Sequence, residues 1–325
     1  MCSNELGYSK YSKNFCVPFY WTKSLDPAEL KDYFFTLRKS QVILKTLHTG
    51  RLEDDDATIV KEVYSRRSKL IDYIHYISDS YTFKNETSCK AVQLFDHYLH
   101  KLLVIYLTSS KNEDDQAANS TQKFADFVNY MTVYAVLCLN IACKIEEINC
   151  NYMSFFNDNL LKKKFPFTIE ELNRRETEIL KFLNFRTCMP SPFQFGSVFF
   201  QILINEVFAD EASQIGSSDL IIKLLNKNSQ LSKVYSAYSE SMYNSPLTSG
   251  LICFKAAMIT LSKTQRLNLT AMHEKFNLVI LDYLGNEDYL KKIDQEAYKV
   301  FMKVMKLQKV SAEAKDESMG FNMSS

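Results

Sequence analysis

Glycine and proline are scarce, at seven and six in 325 residues. That is too few for the turns of a strand-rich architecture, so the chain reads as long, uninterrupted helices. The eight cysteines include no C-x-x-C pair, which removes the usual zinc and redox spacings; Cys89, Cys138 and Cys143 fall in helical patterns, where a free thiol acts as a small hydrophobe. His97 and His100 have no ligand-spaced Cys or carboxylate set beside them and read as ordinary surface or core histidines. A phosphate-cradling glycine loop is missing, as is any set of nucleophile, base and orienting group, so no chemistry of its own is expected. An excess of one charge is missing too. With 39 Lys and Arg against 38 Asp and Glu, the net charge of +1 gives no broad drive toward nucleic acid or anionic lipid. Residues 1–14 are polar without the apolar core of a secretion signal, and the apolar run Met131–Cys143 falls short of the roughly twenty residues that span a bilayer. The expectation is a soluble, intracellular protein with no cofactor, no metal and no membrane partner.

A hydrophobic fraction of 46% can bury one large core or two ordinary ones, and two is the expectation. The stretch Thr121–Glu147 organises the chain. Phe124, Phe127, Val128, Met131, Tyr134, Ala135, Cys138, Ile141, Ala142 and Ile145 recur at three- and four-residue steps, predicting one helix capped by Ser120 or Thr121. From Val133 to Cys143 only Asn140 interrupts the apolar side chains, so other helices should cover this one on nearly all sides. Lys144 closes it where the helix dipole favours a cation, and from spacing alone it reads as a dipole-complementing lysine. Glu146 and Glu147 follow it with the wrong sign for that end.

In chain order, residues 1–25 form a polar and aromatic arm. Asp26 and Pro27 open a helix that Gly50 ends, and an acidic turn at residues 53–56 leads into a second, Thr58–Tyr81. Asn85-Glu86-Thr87 begins a third. Arg67, Asp72 and Asp96 are charges on helices that must pack together, so a structural ion pair is expected. Residues 109–120 read as a mobile acidic loop. After the central helix come a short segment, Asn151–Leu161, and the solvated lysines Lys162 to Lys164. Thr168 and Glu171 then form a capping box. The helix it opens carries Glu176 on its apolar stripe, where a carboxylate needs a partner or an interface. Pro190-Ser191-Pro192 divides the chain, and five further helical patterns follow (Phe193–Val207, Leu220–Met242, Ser245–Ser262, Leu269–Leu284, Asp288–Leu307), as internal duplication would give. Residues 311–325 are polar and expected to be disordered.

In family order, Arg67 and Asp72, Ala91-Val92 and Asp96, Ala142-Cys143-Lys144-Ile145-Glu146-Glu147, and Arg174 with Glu176 before Leu180-Lys181-Phe182-Leu183-Asn184-Phe185 resemble the cyclin box. Pro190-Ser191-Pro192-Phe193 and, more weakly, Asn244-Ser245-Pro246-Leu247 resemble the entry to and a helix of the second repeat. The resemblance spans about Thr58 to Leu307. It implies an all-α fold of tandem five-helix cyclin-box repeats with an additional N-terminal helix. The implied division is 1–57 arm and helix, 58–187 N-terminal box, 188–310 C-terminal repeat and 311–325 tail. It also implies a regulatory subunit, not an enzyme, that binds a cyclin-dependent kinase in the nucleus and cytoplasm during the cell cycle. Lys144 and Glu176 match the kinase-gripping residues, Arg67 and Asp96 the internal tie between the first two box helices. The first box helix is where substrate or inhibitor peptides dock in this family, giving Leu70, Tyr73 and Met131 as a docking patch.

The chain departs from the family in its longer acidic loop, in its short N-terminal tail and in Arg66 and Lys69, which stand where cell-cycle members carry apolar docking residues. Arg67 to Leu70 also fits an Arg-x-x-Leu degradation signal, but inside a helix. The alternatives are a transcription-associated cyclin, or a transcription-factor core of the same duplicated fold. The latter would need a zinc ribbon and a strongly basic face, neither of which is present, so nucleic acid is not expected as a partner.

Overall fold

The computed structural model describes residues 26–41, 54–109, 115–147, 167–207, 214–238, 241, 243–264 and 269–320; among these there is no strand. The arm, the segment Asn151–Leu161, the lysine run after it and the last five residues lie outside the described residues. The helices are α1 (Pro27–Ser40), α2 (Asp54–Ser80), α3 (Asn85–Ser109), α4 (Asp115–Asn129), α5 (Met131–Glu146) and α6 (Ile169–Phe182), followed by α7 (Pro192–Ile202), α8 (Gln214–Ser236), α9 (Pro246–Thr264), α10 (Thr270–Leu284) and α11 (Glu287–Gly320). The fold is all-α, and no single described helix is long and apolar enough to cross a membrane. Two units divide the chain: one holds the helices between Leu44 and Met189, the other joins Leu25–Ile43 to Pro190–Ser325.

In the first unit α5 is the core element. Every side chain from Val133 to Cys143 is buried, chiefly against α3, with α2 and α6 also in contact. The central stretch is two helices, not the one that the apolar spacing predicts. It breaks at Tyr130, and the two arms diverge by 84°. Tyr130 has left helical geometry, at φ −117° and ψ 25°, with no side-chain cap on α5. Main-chain bonds run from Tyr130 N to the Asp126 and Phe127 carbonyls, and the Tyr134 hydroxyl donates across the turn to Asp126 Oδ2 at 2.9 Å. No glycine or proline marks it, and apolar residues keep their spacing because Phe124 and Phe127 on one arm and Met131 and Tyr134 on the other are all buried. The acidic stretch is likewise not wholly a loop, since α4 has begun by Asp115.

Locally encoded helix starts form as their sequence implies. Thr168 Oγ1 accepts from Glu171 N at 3.2 Å while Glu171 Oε2 accepts from Thr168 N at 2.7 Å, so α6 begins with two otherwise orphaned donors satisfied. Asp26 and Glu29 do the same for α1, which ends at Ser40, short of Gly50.

In the second unit α1 lays Phe34 among Phe195, Phe199 and Tyr283, with ring centroids 5.4 to 6.3 Å apart. Helix α9 is buried along almost its whole length. It approaches α7 so closely that a Cβ on Gly250 would lie 2.6 Å from the Pro192 carbonyl oxygen and 2.9 Å from Phe195 Cβ, which only glycine allows. Helix α7 runs directly into a π-turn, Leu203–Val207, and α11 continues to Gly320, past the expected start of the tail at Ser311.

Candidate functional site

Where α5 ends, Lys144 Nζ lies 2.5 Å from Glu176 Oε1 of α6. The lysine side chain is 45% exposed and the glutamate only 10%. Glu176 therefore meets the requirement its position on the apolar stripe imposed, a partner for a buried carboxylate. A second one is Asn140, whose Nδ2 donates to Glu176 Oε2 at 2.6 Å. The sequence marked Asn140 only as an interruption; its meaning appears once α6 lies alongside. Ile145 and Ile169 are exposed apolar residues on the same two helices, at 38% and 43%.

The two glutamates of unfavourable sign serve another helix. Glu147 Oε1 accepts from Lys84 N at 2.8 Å and from Thr87 Oγ1 at 2.5 Å, capping the start of α3, where the dipole favours an anion. Glu146 pairs with Lys90 at 2.5 Å, and its carbonyl oxygen accepts from Lys84 Nζ at 2.6 Å. Lys90 is buried in this contact. Glu86 stands beside the network, where burial first, and then the Glu146 charge, push its carboxyl up to about 7 against the opposing pull of Lys84 and Lys90. The C-terminal turn of α5, and with it Lys144, is thus braced on α3.

Arg67 and Asp96 are brought together between α2 and α3, with Nε 2.6 Å from Oδ1 and Nη2 2.7 Å from Oδ2. Asp72, by contrast, is exposed on α2, and burial of part of its carboxyl raises its pKa. Of the residues assigned to the docking patch, Leu70 and Tyr73 are half-buried, but Met131 is only 3% exposed and belongs to the core, because it follows the Tyr130 break and turns inward with α5. Arg66 pairs with Glu62 at 2.5 Å and reaches the Val128 carbonyl oxygen at 3.4 Å; Lys69 is exposed. Tyr76, one turn beyond Tyr73, is exposed as well, which the sequence reading did not single out.

A further cluster fixes α6 to the elbow. Arg175 Nη1 lies 2.5 Å from both Asp126 Oδ2 and Tyr134 Oη, Nη2 lies 3.2 Å from Asp126 Oδ1, and the guanidinium sits 4.4 Å from the Phe167 ring centroid. Burial alone would raise Asp126, but hydrogen bonds from Arg175 and Tyr134 outweigh it and hold the carboxyl below its usual range. Arg174, its neighbour in the recognised pattern, makes only a surface pair with Glu178 at 2.9 Å.

In the second unit, Lys255 is completely buried against Asp294 at 2.7 Å, and burial lowers its pKa although Asp294 opposes the shift. Among the described residues no group of three or more His, Cys, Asp or Glu is placed to hold a metal ion.

Residues 37–188 match the family pattern of the cyclin N-terminal domain. The human protein "Cyclin N-terminal domain-containing protein 1" is 22% identical over 143 residues, covering 42% of this chain and 43% of that protein. The chain therefore spans less than half the length of this relative.

Proposed function

Because the chain is a member of the cyclin family by its N-terminal domain, a regulatory fold that takes protein partners, we propose that it is the regulatory subunit of a cyclin-dependent protein kinase and acts in cell-cycle progression, in the nucleus and cytoplasm. One observation carries the reading: Lys144 and Glu176 meet at the end of α5, with the lysine nearly half exposed. The helices that carry this pair also expose Ile145 and Ile169, so they offer a partner apolar surface as well as a cation.

Phosphoryl transfer needs a lysine–glutamate ion pair inside the kinase and an ordered activation loop, both set by the position of the kinase C-helix. A rigid helical surface that binds only the inward position shifts the kinase population toward the active state. Rigidity is supplied by the brace of Glu146 and Glu147 on α3 and by the Arg175 cluster. Catalysis belongs to the kinase. Substrate or inhibitor peptides dock on the exposed side of α2.

Affinity purification of the intact chain tests this reading. A cyclin-dependent kinase is expected to co-purify. Replacing Lys144 and Glu176 together by Ala, which leaves neither charge uncompensated, is expected to abolish co-purification while the helical circular dichroism stays as in the wild type. Kinase retained by the double variant would overturn the assignment.

A further inference from the structure

Asn140 is the only amide side chain in α5, and it is 3% exposed. Its Oδ1 has no hydrogen-bond partner among the described residues, a cost that a leucine at this point of the apolar wall would not carry. The bond it does make runs from Nδ2 to Glu176 Oε2 at 2.6 Å. Lys144, four residues on and so on the same helix face, holds the other oxygen, Oε1.

The two donors differ in mobility. Asn140 is short and enclosed, whereas Lys144 carries its ammonium on a flexible four-carbon stem at a helix end, with its side chain 45% exposed. A carboxylate as buried as that of Glu176 would oppose the departure of Lys144, because its charge would be left uncompensated. An amide N–H that stays bonded to Oε2 reduces that opposition.

We infer that Asn140 is a positioning residue: it keeps the Glu176 carboxylate fixed while Lys144 exchanges its internal bond for an acceptor on the kinase. The inference rests on the reading of Lys144 and Glu176 as the partner-facing pair.

Calorimetric titration of the co-purified kinase with the intact chain tests it, using wild type, Asn140→Leu, Glu176→Gln and the double variant. Asn140→Leu is expected to weaken binding about ten-fold and to lower the melting temperature only modestly, because removal of the orphaned oxygen partly offsets the lost bond to the buried carboxylate. In the Glu176→Gln background, where no buried charge remains, the same substitution is expected to change affinity by less than about two-fold. If Asn140→Leu does not fold, Asn140→Ser takes its place in both backgrounds. Wild-type affinity in the Asn140 variant, or an equal loss in both backgrounds, overturns this inference alone. A wild-type chain that binds no cyclin-dependent kinase overturns the functional reading as well.

Discussion

Arg67 and Asp96 form a two-point pairing between α2 and α3, and the guanidinium is 1% exposed. Planar guanidinium and carboxylate match each other's geometry, so the pair fixes the register of the two helices as well as neutralising two charges. Removing one partner leaves the other buried and uncompensated. Asp96→Ala is therefore expected to cost about 3 to 5 kcal/mol, seen as a sharply lower melting temperature. A variant that melts like wild type but has lost its kinase would place the pair in the interface.

The carboxyl of Glu86 sets a pH dependence. Its folded value is raised from 4.5 to about 7, so the native state holds the proton more tightly than the unfolded state does. Its contribution to stability is full below pH 4.5 and is lost as pH rises through 7. Thermal melts across the interval from pH 4.5 to pH 7 should show stability falling by roughly 1.4 kcal/mol per pH unit and levelling off above it. Glu86→Gln should flatten that slope and raise the melting temperature on the alkaline side. A slope unchanged in the variant would assign the titration to another group.

Signals carried by a few neighbouring residues were legible from the sequence. Asp26 caps α1 and Thr168 with Glu171 forms the predicted box, because a cap needs only residues a few positions apart; Glu29, which completes the box at Asp26, was not singled out. Lys144 and Glu176 stood out for a related reason, a charge at the end or on the stripe of an apolar helix. What escaped depends on which helices meet. The break at Tyr130 has no glycine, proline or cap to announce it, and the apolar period runs through it. Lys90 looks like a surface lysine until α5 brings Glu146 to it. Glu146 and Glu147 looked misplaced at the end of α5 because the end they serve belongs to α3.

The Arg175 cluster predicts how the elbow is held. Its guanidinium bonds Asp126 on α4 and Tyr134 on α5 while lying on Phe167 before α6. Arg175→Met keeps the aliphatic packing but strips the charged hydrogen bonds, and is expected to cost about 2 kcal/mol in urea unfolding. Arg175→Lys should not restore it, since an ammonium cannot fork between a carboxylate and a hydroxyl with the same geometry. Combined with Asp126→Ala, the losses should be less than additive. Full rescue by lysine would mean that only the charge matters.

Peptide docking falls on α2, where the half-buried Leu70 and Tyr73 can receive an apolar anchor. Two cations lie within a turn of them, but they are not equivalent. Arg66 is engaged by Glu62 at 2.5 Å and by the Val128 carbonyl oxygen at 3.4 Å, so its charge is partly neutralised locally, whereas Lys69 is exposed. Repulsion of a basic peptide therefore falls mainly on Lys69, at about 1 kcal/mol for like charges near 4 Å in water. Docking should shift toward acidic or phosphorylated motifs, and Lys69→Ile alone should strengthen binding of a basic Arg-x-Leu peptide more than Arg66→Met does. Fluorescence titrations at low and high salt measure this, because an electrostatic penalty shrinks as salt rises. Tight binding of the basic peptide by wild type, indifferent to both substitutions, would show that neither cation faces the docked peptide.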